Sequence, residues 1–575
     1  MKKHHNIKKH IMKTLKYKFV IILFTVVCSA LQAQKPYDEK VTVIAPYQPT
    51  ISDANKINVQ PVYTDTVLVT PRMTYQTLTR KYSTTYTADP IKPARVGDIN
   101  LAKLYKFLVK AGFGNYTSPY GEFFVNNTYS RSYSIGGHLK HHSYLGKFKD
   151  WAYPGNSENL AEFYGKKFFK QNEIGGGIGY KRNVYHYYGF KPGDYPDIIT
   201  VLPLEKDMYK QRFNLINANV YFKSINHPDS LKLNYAAGFK YYFLNDYYKT
   251  SENAIDFTAD INKDLHLFKI TSSQFVGLQA QVKYCFDQDS LIEKNAGLIS
   301  LKPYIKTTFK GFNFNLGVDI SVLAANNAKL YFYPIADVQF NIVKNILIVF
   351  AGIKGNLQQN TFYSTISENP YINSYIPISY TSTTYDIFGG IKSDISKTMN
   401  FSAAVSYARI KNMPLYVTDT NLVFRNKFNV IHDSARLFNV RGEFVYHKDE
   451  RFKVLVGGNF YHYKMDNELK AWHKPIFDAY VDFWYNIHDK FIITAGITGR
   501  SNIYTKTFKR TDAGIVAGKK IFKGYADASL GFEYRYSKIL SAFININNLA
   551  NIKYYTWNNY RAYGFNMMAG VTYAF

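Results

Sequence analysis

His138 and His142 lie four residues apart with Lys140 midway, a spacing that puts both imidazoles on one face of an extended strand. A divalent metal there would need a third donor, and the intervening ammonium opposes it, so the pair reads as lumenal or interfacial histidine. The run Gly175-Gly176-Gly177-Ile178-Gly179 has the composition of a phosphate-cradling loop, but no Lys-Ser or Lys-Thr follows and no helical periodicity begins there. Small side chains where a strand passes close to lumenal contents explain it better. Two carboxylate pairs, Asp478 with Asp482 and Asp527 with Glu533, each share a strand face, as a hydrolytic acid and base would. A solvated wall has the same spacing, and no Ser, His and Asp set accompanies them. The sequence therefore nominates no catalytic residue, no metal ligand and no cofactor. Two stretches are rich in tyrosine: Tyr185, Tyr187, Tyr188 and Tyr195 in one, Tyr363, Tyr371, Tyr375 and Tyr380 in the other. Such rings stack on sugars, form protein-binding patches or line a membrane interface, and the residues alone leave all three readings open.

The elements that must carry these residues alternate with a period of two from about Leu104 to the end. Phe312, Phe314, Leu316, Val318 and Ile320 oppose Asn313, Asn315, Gly317, Asp319 and Ser321; Ala526, Ala528, Leu530, Phe532 and Tyr534 oppose Asp527, Ser529, Gly531, Glu533 and Arg535. Water on one side and lipid on the other is the requirement such strands meet. About 22 segments of this kind recur, an even number, as a closed single-chain barrel requires. Their connections alternate too: Tyr536-Ser537-Lys538, His488-Asp489-Lys490, Ser396-Lys397-Thr398, Val343-Lys344-Asn345 and Asn226 to Ser230 are short, whereas Tyr187 to Asp207, Leu357 to Thr383 and Lys411 to Ala435 are long. The predicted fold is all-β, a transmembrane antiparallel β-barrel over 102–575, with long outer loops and both termini in the periplasm.

The first 33 residues read as a signal peptide. Lys13, Lys16 and Lys18 precede the apolar run Phe19 to Val27, and cleavage falls after Ala33; Met12 opens a more ordinary signal than Met1 does. Cys28 as a lipid-anchoring site is poorly served by Thr25 and Val27. It leaves with the signal, so Cys285 remains alone and no internal disulfide staples the mature chain. No other stretch is apolar for the length of a membrane helix and mean hydropathy is −0.26, yet 17% of the residues are aromatic, including 52 Tyr, which suits the girdles of a barrel. The net charge of +29 falls to +22 without the signal's seven lysines. An exported chain of that charge has lipopolysaccharide, an acidic subunit or an acidic solute as partners rather than nucleic acid, or its lysines simply line a solvated lumen.

The end of the chain carries a resemblance. In the last strand Phe565, Met567, Ala569, Val571, Tyr573 and Phe575 share one greasy face, and the run ININNLANIKYY before it contains Asn547, Asn548, Leu549, Asn551, Tyr554 and Tyr555. Together with the closing GVTYAF these residues resemble the last two strands of TonB-dependent outer-membrane receptors, the rest of the barrel being similar in pattern. The resemblance implies a Gram-negative, Bacteroidota-type protein of the outer membrane. It also implies that Gly570, Tyr573 and Phe575 form the signal read by the barrel assembly machinery, although Met568 stands where that signal has a polar residue.

Residues 34–101 are proline-rich and extended in character, periplasmic or lumenal. Their opening, Val41, Thr42, Val43, Ile44, Ala45 and Pro46, resembles a TonB box, while the segment is too short for that family's plug. The function implied is a transport or receptor component, or a subunit of an uptake, secretion or assembly complex with a periplasmic or lipoprotein partner. A passive porin is the alternative, and an outer-membrane enzyme a distant third.

Overall fold

Antiparallel pairing needs each strand's donors to meet a neighbour, and a sheet of lipid-facing strands has no tolerance for an unpaired edge. The computed structural model describes residues 104–575 apart from 129, 198–204, 226–232, 266–273, 289–292, 325–327, 345 and 512–513. The signal peptide, the proline-rich segment with Val41 to Pro46, and the turn at 226–230 lie outside the described residues. From Phe107–Gly114 to Asn566–Ala574 the strands form one 22-stranded sheet in which each is antiparallel to the next. The last then pairs with the first, Leu108 opposite Ala574 and Gly114 opposite Met568, and the barrel is closed. Strand number, tilt and spacing together make it roughly 40 Å across, backbone to backbone.

The two faces separate as the parity requires. Along Phe312–Ala324, Phe312 and Leu316 are 36% and 46% exposed on the outside, whereas Asp319 and Ser321 are buried on the inside. Ile135, Phe163, Ile178, Phe332, Ile497 and Val571 continue the exposed apolar exterior around the ring. So much contiguous apolar surface is stable against hydrocarbon and not against water.

Charges on the inner wall are matched across neighbouring strands: Lys140 with Glu158 at 3.1 Å, Lys223 with Glu173 at 3.3 Å, and Lys302 with Asp319 at 3.0 Å. Tyrosine joins the pattern. Tyr221 lies over Gly175 of the adjacent strand, its ring 2.6 Å from where a Cβ would stand, and donates to Glu173 at 2.7 Å. The same arrangement recurs where Tyr304 covers Gly277 and Tyr480 covers Gly457. The glycine run at 175–179 is thus a place for rings and neighbouring backbone to sit.

The connections are short at the rim that carries the C-terminus and longer at the other. The long links are partly strand, however. Ser379–Ser396, Met399–Thr418 and Phe428–Lys448 have 18, 20 and 21 residues, well beyond the ten or so that cross a bilayer. Much of 411–435, read above as a loop, is a ladder in which Met413 faces Asp433 and Thr418 faces Phe428, leaving only 419–427 as the connection. Both of its faces are covered, which erases the polar alternation that marks a half-buried strand.

Candidate functional site

Aromatic residues in a solvated loop gain most by burying one another, and the loops at the rim opposite the C-terminus do so across the barrel mouth. One buried cluster joins Phe148 and Ala152, Tyr188 and Phe190, Phe362, Ile366, Ile372 and Ile376, Tyr416, Phe428 and Tyr560, residues contributed by four separate connections and by the two strands that flank a fifth. Tyr187 donates to the Ile372 carbonyl at 3.0 Å, and Asn426 donates to the Tyr187 carbonyl at 2.7 Å. Tyr188 donates to the Arg561 carbonyl at 2.8 Å, and Tyr560 donates to the Asn426 carbonyl. The loop carrying Tyr187 joins the fifth and sixth strands, and that carrying Asn426 joins the fifteenth and sixteenth. In a ring of 22 these are nearly opposite, so they meet only by folding over the opening.

The cap has its own polar skeleton. Gln211 donates from one amide nitrogen towards Asp246, Tyr187 and Ser374 at 3.0–3.2 Å. Glu252 receives the backbone N–H groups of Phe362 and Tyr363, the first turn of the short helix Phe362–Glu368, with Thr361 as its N-cap. The Lys427 ammonium lies 4.1 Å from the Tyr248 ring and 4.5 Å from that of Tyr187. Burial pushes its pKa down while Asp246 and Asp419 hold it up. Of the tyrosines left open by the sequence, Tyr187, Tyr188 and Tyr371 build the interior of the cap, whereas Tyr363 and Tyr375 are exposed on it.

No protein-family model matches the chain, and no curated protein matches it in sequence. Solved structures do. The pyoverdine outer membrane receptor FpvA of Pseudomonas aeruginosa superposes with a TM-score of 0.60 at 12% identity over 82% of this chain and 79% of its own. The siderophore receptor PirA of Acinetobacter baumannii gives 0.60 at 10% over 82% and 80%, and the FrpB iron transporter of Neisseria meningitidis 0.63 at 10% over 83% and 82%. The chain has the fold of these receptor barrels. At such identity the likeness is one of fold alone.

The remaining candidates fall on the wall of the barrel. His138 is 2.9 Å from Glu122 and stacked on Phe124, while His142 reaches Ser118 at 3.3 Å, so each imidazole has its own partner. Among the described residues no three His, Cys, Asp or Glu side chains converge as a metal site would need. Asp478 accepts from Asn459, Asp527 from Tyr554, and Glu533 pairs with Arg535. Four and six residues of strand separate the two carboxylate pairs by roughly 13 and 20 Å, beyond the reach of a shared glycosidic bond.

The asparagine motif near the end of the barrel is a turn device. Asn547 ends its strand opposite Asn566. Asn548 and Asn551 have φ of 48° and 49°, which asparagine tolerates better than most residues. The Asn548 amide donates to the carbonyls of Ile552 and Tyr563 and accepts from Ile552 N–H, and Asn551 accepts from Phe565 N–H. They pinch the neck of the 548–565 loop and aim Tyr560 into the cap. Leu549 stays exposed, Tyr554 stacks on Tyr525 at 3.8 Å, and Tyr555 lies beside Trp151 and Phe522. Gly570, Tyr573 and Phe575 lie on the closing strand: Gly570 faces Gly112, and Phe575 exchanges backbone bonds with Phe107 at 2.9 and 3.0 Å. Met568 points inward and is buried.

One group makes the cap sensitive to acid. His473, in the 466–476 loop, donates from Nδ1 to the Tyr416 carbonyl at 2.9 Å, while its Nε2 is buried with no partner. Burial pushes its pKa from 6.5 down to about 4, with the Tyr416 carbonyl opposing and Lys474 assisting. The folded value lies below the unfolded one, so the unfolded loop takes up the proton first. Stability from the neutral ring is complete above pH 6.5 and is lost as pH falls towards 4. Roughly 3 kcal/mol is at stake. Acidification through this window is expected to open buried Trp472 to cleavage by an acid-active, pepsin-type protease, with H473Q flattening the pH dependence; an equally steep profile in the variant would refute the assignment.

Proposed function

We propose that this chain is an outer-membrane receptor or transport component, resembling TonB-dependent receptors, whose wide barrel is kept shut from outside by its own loops. The observation that carries the reading is the bond between Asn426 and Tyr187 from nearly opposite sides of the mouth. A passive porin gains nothing from such a span. The fold shared with outer-membrane receptors and an iron transporter supports a role in passage of a bound solute. The reading extends to partners: a periplasmic or lipoprotein subunit engages the segment 34–101, whose extended character suits strand addition, with Val41 to Pro46 as the TonB-box-like stretch. Gly570, Tyr573 and Phe575 present the closing strand to the assembly machinery.

The reconstituted full-length protein is expected to show no large steady conductance in planar bilayers, and a large one would favour the porin. Orientation is tested separately. A cysteine label at Asn421 or Val423, both exposed, is expected to react in intact cells, and one at exposed Lys490 only after the outer membrane is breached. Labelling of Lys490 in intact cells would invert the topology. Asn369 is unsuitable, being fully buried in the cap.

A further inference from the structure

Charges on the wall and on the rim obey different rules. Inside, cations face carboxylates across strands. At the rim carrying the C-terminus, Lys170, Lys310, Lys344, Lys397 and Lys538 stand exposed in five different turns, those of Lys310, Lys344 and Lys397 consecutive, and none joins an ion pair among the described residues. Among the described residues, the acidic side chains in the turns of this rim are Asp449, Glu450 and Asp489, which fall in two neighbouring turns, with Asp394 exposed at a strand end three residues before Lys397.

Position decides what such a collar meets. Each of these lysines lies within two residues of an exposed apolar side chain: Phe169 beside Lys170, Phe312 after Lys310, Val343 and Ile346 around Lys344, Ile395 before Lys397, and Tyr536 and Ile539 around Lys538. The Lys310 ammonium also lies 5.3 Å from the Phe309 ring. Apolar groups that end where ammonium groups begin mark the depth at which hydrocarbon gives way to headgroups, and a flexible lysine stem reaches across that boundary.

We propose that this rim is a binding collar for the phosphates of anionic glycerophospholipids in the leaflet at the C-terminal end of the barrel. A soluble acidic protein would be matched by the charge but not by the interleaved apolar residues. The inference needs the barrel to sit in a membrane and does not rest on a transport role.

The test uses full-length protein in detergent, offered phosphatidylglycerol or phosphatidylcholine and read by native mass spectrometry for retained lipid. Wild type is expected to prefer phosphatidylglycerol by at least about fivefold, the gain one surface lysine brings near anionic lipid. The preference should fall with salt and vanish in K170Q/K310Q/K344Q/K397Q/K538Q. A control with equal charge loss at the loop rim, K191Q/K249Q/K470Q/K519Q/K553Q, should keep it. Heat-dependent gel mobility confirms that both variants fold. Equal preference in the two variants would overturn the proposal. Displacement of the lipid by the same concentration of inorganic phosphate would also overturn it, since a free anion would then suffice. So would loss from the collar variant of a bound acidic protein with its lipid unchanged.

Discussion

Replacing Gly570 by valine is expected to abolish the heat-modifiable, folded form of the protein. Gly570 sits where the last strand meets the first, directly opposite Gly112. A Cβ there would run into the Ala111 carbonyl, 2.8 Å from the Gly112 Cα and 2.5 Å from the Phe543 ring. Backbone on both sides of a seam cannot retreat as a flexible side chain can. Overpacking of this kind costs about 3 kcal/mol or more, and it falls on the pairing that closes the sheet. With the seam open, two unpaired edges face lipid and the cooperativity of the ring is gone. The measurement is the gel shift between unheated and boiled samples from outer membranes, with Gly121→Ala as the control, since a Cβ at Gly121 meets nothing. A wild-type shift in G570V would show that the seam tolerates separation.

Replacing residues 361–378 by a short Gly-Ser turn is expected to convert a closed barrel into a conducting one. The excised segment carries Phe362, Ile366, Ile372 and Ile376 of the cap core, the Ile372 carbonyl that receives Tyr187, and Ser374 of the polar skeleton. The flanking strands, Leu347–Asn360 and Ser379–Ser396, remain paired as a hairpin, so the barrel wall is untouched. Tyr371 leaves as well, removing the ring stacked 3.6 Å from Tyr560. Losing several buried apolar side chains at about 2–5 kcal/mol each exceeds what a loop assembly can absorb. Single-channel conductance should rise on the order of tenfold, towards that of a water-filled barrel of this girth. Conductance unchanged from wild type would mean that the barrier lies elsewhere, for example with the segment 34–101.

The strands were legible one by one because each lies between lipid and water, and that contrast writes itself along the chain with a period of two. Segment 312–323 and segment 526–534 needed no tertiary information, and neither did the closing strand, where Met567 to Phe575 show the same parity in sequence and in space. The contrast fails where both faces are dry. Leu415 and Tyr416 are adjacent and both buried, one against Trp472 and the other against Phe428 and Tyr560, so 411–418 carried no alternation to read.

The cap shows the same limit at longer range. Tyr187 and Asn426 are 239 residues apart and their contact has no local signature; only closing the ring brings their loops over one opening. His473 looks like any loop histidine until the fold buries it behind the Tyr416 carbonyl. Side-chain periodicity is a property of one strand and its two solvents, and it suffices for a barrel wall. Which loops meet, which tyrosines lose their water and which lysines remain unpaired depend on neighbours that circumference, not sequence distance, selects.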